Sequence, residues 1–357
     1  MRVLFTCGGT GGHINPAISI ANGVKSLFPD AAVLFVGGAG NMETELVPAA
    51  GFEITTLSVD NLRRSFKPAD LAHNVKSAAL TALALLKAGK IIARFKPDIV
   101  VGTGGYVCFP VLKSAAAMKI PTILHESNAL PGLTTKLLEK SVTRVLLGFE
   151  DAKTRLKAQE KLIVTGTPVR SEFRDAKHAV QTAKPMVLSY WGSLGAKYMN
   201  AQIPKFIRLN EEAKAFRHIH AAGKNSDLLP LETELTSLKR YIYDMPRTMA
   251  EASLVICRAG ASTLNELAAT STPAILVPSP YVAENHQEFN ARAVERQGAA
   301  VVLKESDASA ETLFQTVVEL LSDHAKLSQM SKASQALDRP AALEKILEQI
   351  LTLAQSQ

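Results

Sequence analysis

Apolar runs of four or five residues recur along this chain, and several end in glycine, serine or threonine before a stretch with helical spacing. Residues 3–6 are followed by Cys7-Gly8-Gly9-Thr10-Gly11-Gly12-His13, after which Ile14, Ile18, Ala21 and Val24 mark one face of a helix over 14–26. A strand repeats every two residues and a helix every 3.6, so this alternation limits the fold more than any single motif. It continues through expected strands at 32–36 and 99–101, a helix from about Pro110, and strands at 122–124, 144–147 and 162–164. Strands alternating with helices build a doubly wound, mostly parallel α/β sheet that takes its ligands at the carboxyl ends of the strands.

A second series starts at 186–190 and again meets a glycine turn, Gly192-Ser193-Leu194-Gly195-Ala196. Further strands are expected at 216–221, 240–242, 254–257, 274–277 and 300–303. Between the two series, residues 166–185 are polar and turn-rich with no periodicity, which marks a linker. A chain of 357 residues exceeds one ordinary core, so two domains of similar architecture are expected.

Hydrophobic content of 47% with 20% charged residues is that of a globular protein. Cys7, Cys108 and Cys257 are far apart and odd in number, neither a disulfide framework nor a zinc pattern, and suit a reducing compartment. Too few apolar residues precede the first glycines for a signal-peptide core, and no apolar run approaches the roughly 18 residues that span a bilayer. The protein is therefore expected to stay inside the cell. The formal charge of +7 lies wholly in the first half: residues 1–165 carry 19 Lys and Arg against 12 Asp and Glu, whereas the rest balances. An anionic surface facing the first half would explain this, as would scattered solubilising lysines.

The helix after Pro68 sharpens that choice. Leu71, Val75, Ala78, Ala82, Leu85 and Leu86 are expected to face the core, while Leu80, Leu83 and Ala84 leave much of the remaining surface apolar. Basic residues flank it: Arg63, Arg64 and Lys67 before, and Lys87, Lys90, Arg94 and Lys96 after. An apolar edge between cations suits the interface of an anionic membrane; a helix buried on most sides reads equally well.

The stretch from Tyr241 to Ala291 carries the densest chemistry. Strand 254–257 runs into Arg258-Ala259-Gly260-Ala261-Ser262-Thr263 and a Leu/Ala-rich helix, so backbone N–H groups stand open to a phosphate or ribose. Glu266, one turn into that helix, is acceptor-only when ionised and can grip two sugar hydroxyls. Strand 274–278 ends in the polar loop 281–287. In the first half, Gly8 to Gly12 lets a ligand approach the backbone closely, with His13 at the mouth as either a base or a capping residue. Thr103-Gly104-Gly105-Tyr106 is a second such turn, and His125-Glu126-Ser127-Asn128 leaves a third strand with four polar side chains in a row. Polar clusters at the strand ends of both domains describe a cleft between them. The dinucleotide spacing G-x-G-x-x-G and the phosphate loop G-x-x-x-x-G-K-[ST] are missing, which disfavours an NAD-dependent oxidoreductase. A nucleic-acid-binding protein is suggested by charge alone, without interleaved aromatics. No D-x-D pair is available for a metal on a diphosphate, leaving N–H groups, hydroxyls and an arginine, with Arg170 and Ser193 as candidates.

GGTGGHINPA, GTGGY, HESNALPGLTTKLL, GTPVR, GSLGA, YIYDM, RAGASTLNELAA and ENHQEFNA occur in an order that closely resembles the MurG family of N-acetylglucosaminyltransferases. The resemblance runs from Arg2 to about Ala300. It implies the GT-B architecture, two Rossmann-like domains with an interdomain cleft: residues 1–165, joined by a final helix within 341–357, and residues 166–340. It implies a peripheral protein on the cytoplasmic face of the bacterial inner membrane, with UDP-N-acetylglucosamine and lipid I as substrates and neither cofactor nor metal. By position, Ile242 would meet the uracil, Glu266 the ribose, and Ala261, Ser262, Thr263, Leu264 and Asn265 the ribose and diphosphate. Ser193 and Arg170 would hold phosphates, Gln287 and Asn128 the sugar hydroxyls, and Thr10, Gly11 and Gly12 would complete the donor site. Gly9, Gly104, Gly105 and Tyr106 would take the acceptor. A muramyl hydroxyl would attack with inversion, His13 as base ahead of Glu126 and His125. Two motifs depart from the family: Trp191 and Leu194 alter its GGSQGA loop, and Ser127 replaces the glutamine of HEQNA.

Overall fold

Two seven-stranded sheets carry the chain, and the first is parallel throughout. The structure is a computed structural model describing residues 1–60, 68–176, 184–192, 195–224, 226–228 and 230–355. In the first sheet β1 (Arg2–Thr6), β2 (Ala32–Gly38), β3 (Glu53–Leu57), β4 (Ile99–Gly102), β5 (Thr122–Glu126), β6 (Arg144–Leu147) and β7 (Leu162–Val164) lie in the order β3-β2-β1-β4-β5-β6-β7. In the second, β8 (Met186–Tyr190), β9 (Arg217–Ala221), β10 (Leu231–Glu232), β11 (Thr236–Lys239), β12 (Leu254–Cys257), β13 (Ala274–Leu276) and β14 (Ala300–Val302) lie in the order β10-β11-β9-β8-β12-β13-β14. Only the β10–β11 pair is antiparallel. The chain divides into two compact units, Met1–Pro168 with Arg339–Gln357, and Val169–Asp338.

The helices of the first unit are α1 (Gly11–Leu27), α2 (Glu43–Ala49), α3 (Pro68–Phe95), α4 (Cys108–Ala117) and α5 (Leu133–Leu138). Those of the second are α6 (Ser171–Asp175), α7 (Lys197–Ala213), α8 (Met245–Glu251), α9 (Ala261–Ala269), α10 (His286–Arg296), α11 (Ala310–Ser322) and α12 (His324–Leu337), and α13 (Ala342–Gln355) belongs to the first. Strand β1 shows why its apolar run is continuous rather than alternating. Leu4 packs with Ala88, Ile92, Val111 and Leu112 on one face, while Val3 and Phe5 pack with Ile14, Ala17, Ile20 and Ile346 on the other. A strand covered on both faces needs apolar side chains at every position. Helix α13 lies on α1 over Gly23, where a Cβ would come within 2.9 Å of Leu347.

Three sequence-based expectations shift. The strand expected at 240–242 is β11, four residues earlier: Thr236 and Leu238 face inward beside β9, and the Tyr-Ile-Tyr run follows the strand's end. Strand β3 gave little signal because it is an edge, with Glu53, Thr55 and Thr56 exposed. Helix α3 is rotated from its expected face. Ser77, Ala84, Ala88 and Ile92 are buried, Leu80 and Leu85 half-buried, and Ala78, Ala82 and Leu86 exposed. Small residues let α3 approach α4 closely, with Ser114 Oγ donating to Leu85 O at 3.0 Å, so the leucines Leu83 and Leu86 turn outward. The side chains of Leu71 and Val75 and the basic stretch 61–67 lie outside the described residues.

Beneath β8, Ser189 Oγ joins His218 Nε2 at 2.8 Å and His220 Nδ1 at 2.7 Å, and both rings are buried. Burial holds His218 at about 3 and pushes His220 well down, and a proton on one ring would further disfavour one on the other. Both stay neutral in the fold, whereas in the unfolded chain each takes a proton as pH falls through about 6.5. The unfolded state then binds more protons, so stability is full above that value and falls toward pH 3, by up to ~1.4 kcal/mol per pH unit for each ring. Urea unfolding between pH 7.5 and 5 should show this slope, and His218→Phe, beside Phe206 and Phe216, should remove one ring's share. An unchanged slope in the variant would contradict the assignment.

Candidate active site

In the first unit, the turns after β1, β4 and β5 are tied into one surface. Gly8 N–H donates to Gly104 O at 3.1 Å, Thr103 Oγ1 donates to His13 O at 2.7 Å, and Thr134 Oγ1 reaches Gly105 O at 3.5 Å. Two glycines are obligatory here. Gly104 has φ +117° and a Cβ there would stand 2.5 Å from the His13 ring, while at Gly105, φ +93°, a Cβ would enter the Gly8 carbonyl. Thr10 caps α1 without a side-chain hydrogen bond and no acidic residue sits in its first turn, so the N–H groups of Gly11 and Gly12 keep the positive end of the helix dipole. Gly9 and Thr10 are exposed, as is Tyr106.

His13 is half-buried, and its Nδ1 lies 3.0 Å from Gly8 O. A carbonyl oxygen only accepts, so Nδ1 carries the hydrogen and Nε2 keeps its lone pair. The other two base candidates are differently employed. Both oxygens of Glu126 are engaged: Oε1 accepts from Asn128 N at 3.0 Å and Asn128 Nδ2 at 3.1 Å, and Oε2 from Gly132 N at 2.9 Å and Thr135 Oγ1 at 2.6 Å. It shapes the loop and fixes Asn128. His125 is fully buried between Gly166 O at 2.9 Å and Ser127 Oγ at 3.2 Å, and burial pulls its pKa down. Ser127, a departure from the family, thus serves as the partner of His125.

In the second unit, α9 starts at Gly260 with no side-chain cap and no acidic residue in its first turn. Ala261 and Leu264 are buried; Ser262, Thr263 and Asn265 are half-buried. Asn265 Nδ2 turns back to Ala261 O at 2.7 Å, and the buried Ser262 Oγ has no partner among the described residues. Glu266 is pushed up to about 7 by desolvation, opposed by the positive charge of Arg170. Arg170 is exposed and stacks over Phe173, 5.1 Å from its centroid. Ile242 is buried just beyond β11. Gln287 accepts from Ser279 N–H through Oε1 at 2.9 Å, which fixes its amide at the turn after β13. Ser193 and Leu194 lie outside the described residues. Trp191 is buried in the second unit's core, with the Arg258 guanidinium 5.9 Å from its ring.

Two contributors escaped the sequence reading. Arg258 donates to Val277 O at 3.0 Å and pairs with buried Glu305, bracing the turn before α9. Glu43, fully buried, holds the turn before α1 from α2. The signal for Glu43 was the pair Gly37-Gly38 five residues before it. Among the described residues, no group of three or more His, Cys, Asp or Glu stands close enough to hold a metal.

Residues 3–147 match the glycosyltransferase family 28 N-terminal domain, and residues 186–346 match its C-terminal domain. A protein of Acetivibrio thermocellus named UDP-N-acetylglucosamine–N-acetylmuramyl-(pentapeptide) pyrophosphoryl-undecaprenol N-acetylglucosamine transferase is 41% identical over 98% of this chain and 97% of its own. The crystal structure of Acinetobacter baumannii MurG superposes with a TM-score of 0.77 at 26% identity, covering 98% of this chain and 99% of that one. CalG4, the calicheamicin glycosyltransferase, reaches a TM-score of 0.71 at 16% identity over 98% of each chain, which is a likeness of fold.

Proposed function

The chain belongs to glycosyltransferase family 28, among its MurG enzymes with their GT-B-like fold, and from that premise we propose that it moves N-acetylglucosamine from UDP-N-acetylglucosamine to lipid I. The product would be lipid II, a peptidoglycan precursor. The observation that carries this reading is 41% identity across essentially the whole chain to a relative named for that transfer. The open N-terminus of α9 supports it, because its N–H groups and the unpartnered Ser262 hydroxyl suit a diphosphate, with Glu266 one turn on for the ribose. Ile242 would take the uracil, Arg170 and Ser193 the phosphates, and Gln287 and Asn128 the sugar, with Thr10, Gly11 and Gly12 completing the donor site. Gly9, Gly104, Gly105 and Tyr106 would receive the pyrophosphate-linked acceptor.

The reaction we infer is one displacement with inversion. His13 Nε2 takes the proton of the muramyl 4-hydroxyl as its oxygen bonds to the anomeric carbon. The bond from that carbon to the β-phosphate oxygen breaks, and its electron pair leaves with UDP. General-base help is worth about 10²–10⁴-fold. The leaving diphosphate would be stabilised by the α9 dipole, Arg170 and Ser193.

The protein would work as a peripheral protein on the cytoplasmic face of the inner membrane. No described helix is long and apolar enough to cross a membrane. Helix α3 instead exposes Ala78, Ala79, Ala82, Leu83 and Leu86 beside Lys87, Lys90 and Arg94, an arrangement that suits an anionic bilayer surface.

Three measurements test these assignments. His13→Ala should lower kcat about 100-fold or more while the KM for the sugar nucleotide stays within about twofold; weakened donor binding at intact turnover would remove His13 from its role. Glu266 grips the ribose only when ionised, so with a pKa of about 7 the affinity for UDP-N-acetylglucosamine should fall about tenfold from pH 8 to pH 6. Calorimetry should find that dependence gone in Glu266→Gln, and a flat wild-type profile would contradict the ribose role. Changing Leu83 and Leu86 together to Ser should reduce co-sedimentation with phosphatidylglycerol vesicles several-fold; equal binding would move the membrane contact elsewhere.

A further inference from the structure

Glu43 is an acid with no exposure at all, and nothing in the reaction above uses it. Its carboxylate is held in a pocket made by glycines. A Cβ on Gly8 would stand 2.5 Å from its Oε1, one on Gly37 would stand 2.6 Å from its Cγ, and one on Gly38 3.1 Å from Oε1. Oε1 accepts from Gly38 N–H at 2.8 Å and Oε2 from Gly9 N–H at 3.1 Å. The Gly9 N–H belongs to the same peptide group as the Gly8 carbonyl, and that carbonyl accepts from His13 Nδ1 at 3.0 Å. One planar peptide thus joins the acid to the imidazole.

We propose that Glu43 is a positioning residue for His13, acting through the Gly8–Gly9 peptide as the acid of a catalytic triad acts through direct contact. This inference rests on His13 being the base. An anion at the N–H end of a peptide pushes electron density toward its carbonyl oxygen, and hydrogen bonds in a chain strengthen one another. A stronger acceptor at Gly8 O holds Nδ1 in its protonated form, aims Nε2 outward and raises its basicity, as carboxylates do for metal-bound histidines. The Gly104 backbone lies against the ring, so rotation away from Gly8 is blocked on that side. The other titratable groups near this chain are Cys7, Cys108 and His125, with Glu126 beyond His125, its oxygens taken up by Asn128, Gly132 and Thr135. Cys7 and Cys108 stay protonated, because burial pushes their thiols upward. His125 stays neutral through burial. Glu43 is therefore the acid that bears on the Gly8–Gly9 peptide, through the Gly9 N–H.

The direct test is nitrogen-15 NMR of the His13 ring in the full chain, assigned by the signal lost in His13→Asn. The wild-type ring should be the Nδ1–H tautomer when neutral. In Glu43→Gln the amide cannot accept from both N–H groups, so the ring should titrate about half a pH unit lower and its Nδ1–H share should fall. Turnover with lipid I should drop about tenfold with donor KM unchanged, and the acidic limb of the kcat/KM profile should move with the ring. Glu43→Asp, which keeps the charge, should restore part of both. A wild-type ring found as the Nε2–H tautomer overturns the proposal whether or not the variants fold. So does a Glu43→Gln ring that titrates as in wild type, even if activity falls with stability. If the ring responds as stated but His13→Asn retains full turnover, the base assignment fails while the coupling stands.

Discussion

A parallel sheet buried on both faces leaves its backbone polar groups unsatisfied at one place that solvent and ligands can reach, the turn between a strand and the next helix. The glycine turns proposed to meet the substrates sit there. After β1 and β12 the helix begins without an acidic side chain in its first turn, so the N–H groups of α1 and α9 stay open to anions. Glycine is required wherever such a turn meets a second one, as at Gly105, which leaves room for the Gly8 carbonyl. The strand interiors are accordingly free of chemistry, apart from histidines kept neutral by burial.

The layered fold was legible because central strands need near-continuous apolar residues, and Val3 to Phe5 of β1, Met186 to Leu188 of β8, β4 and β12 supply them. Two of the edges were not: β3 exposes Glu53, Thr55 and Thr56, both residues of β10 are exposed, and their polar composition resembles loop. The face of α3 was misjudged for a different reason. Hydrophobicity ranks leucine above alanine, but α4 approaches so closely that Ala84 and Ala88 fill the contact and Leu86, expected inward, turns out beside Leu83. Sequence cannot express that distance.

Candidate site residues on glycine turns were equally readable, since few other roles bring Gly, Ser and Thr together before a helix. Partner choice was not. His13 stood ahead of Glu126 as a proton acceptor, but the sequence did not show that both oxygens of the acid are engaged while the ring has one nitrogen held. Two departures from the family pattern are absorbed locally: Trp191 disappears into the second unit's core, and Ser127 supplies the partner that His125 requires.

Helix α13 closes the first unit from the far end of the chain, laying Ile346 and Ile350 over α1 and the Phe5 face of β1. During synthesis the first 168 residues therefore emerge with that apolar surface uncovered, and it stays so until some 170 intervening residues have followed. The second unit is contiguous and can finish folding as soon as it clears the ribosome. The unit that begins first is completed last, and the flank of α1 is the surface left waiting for its cover.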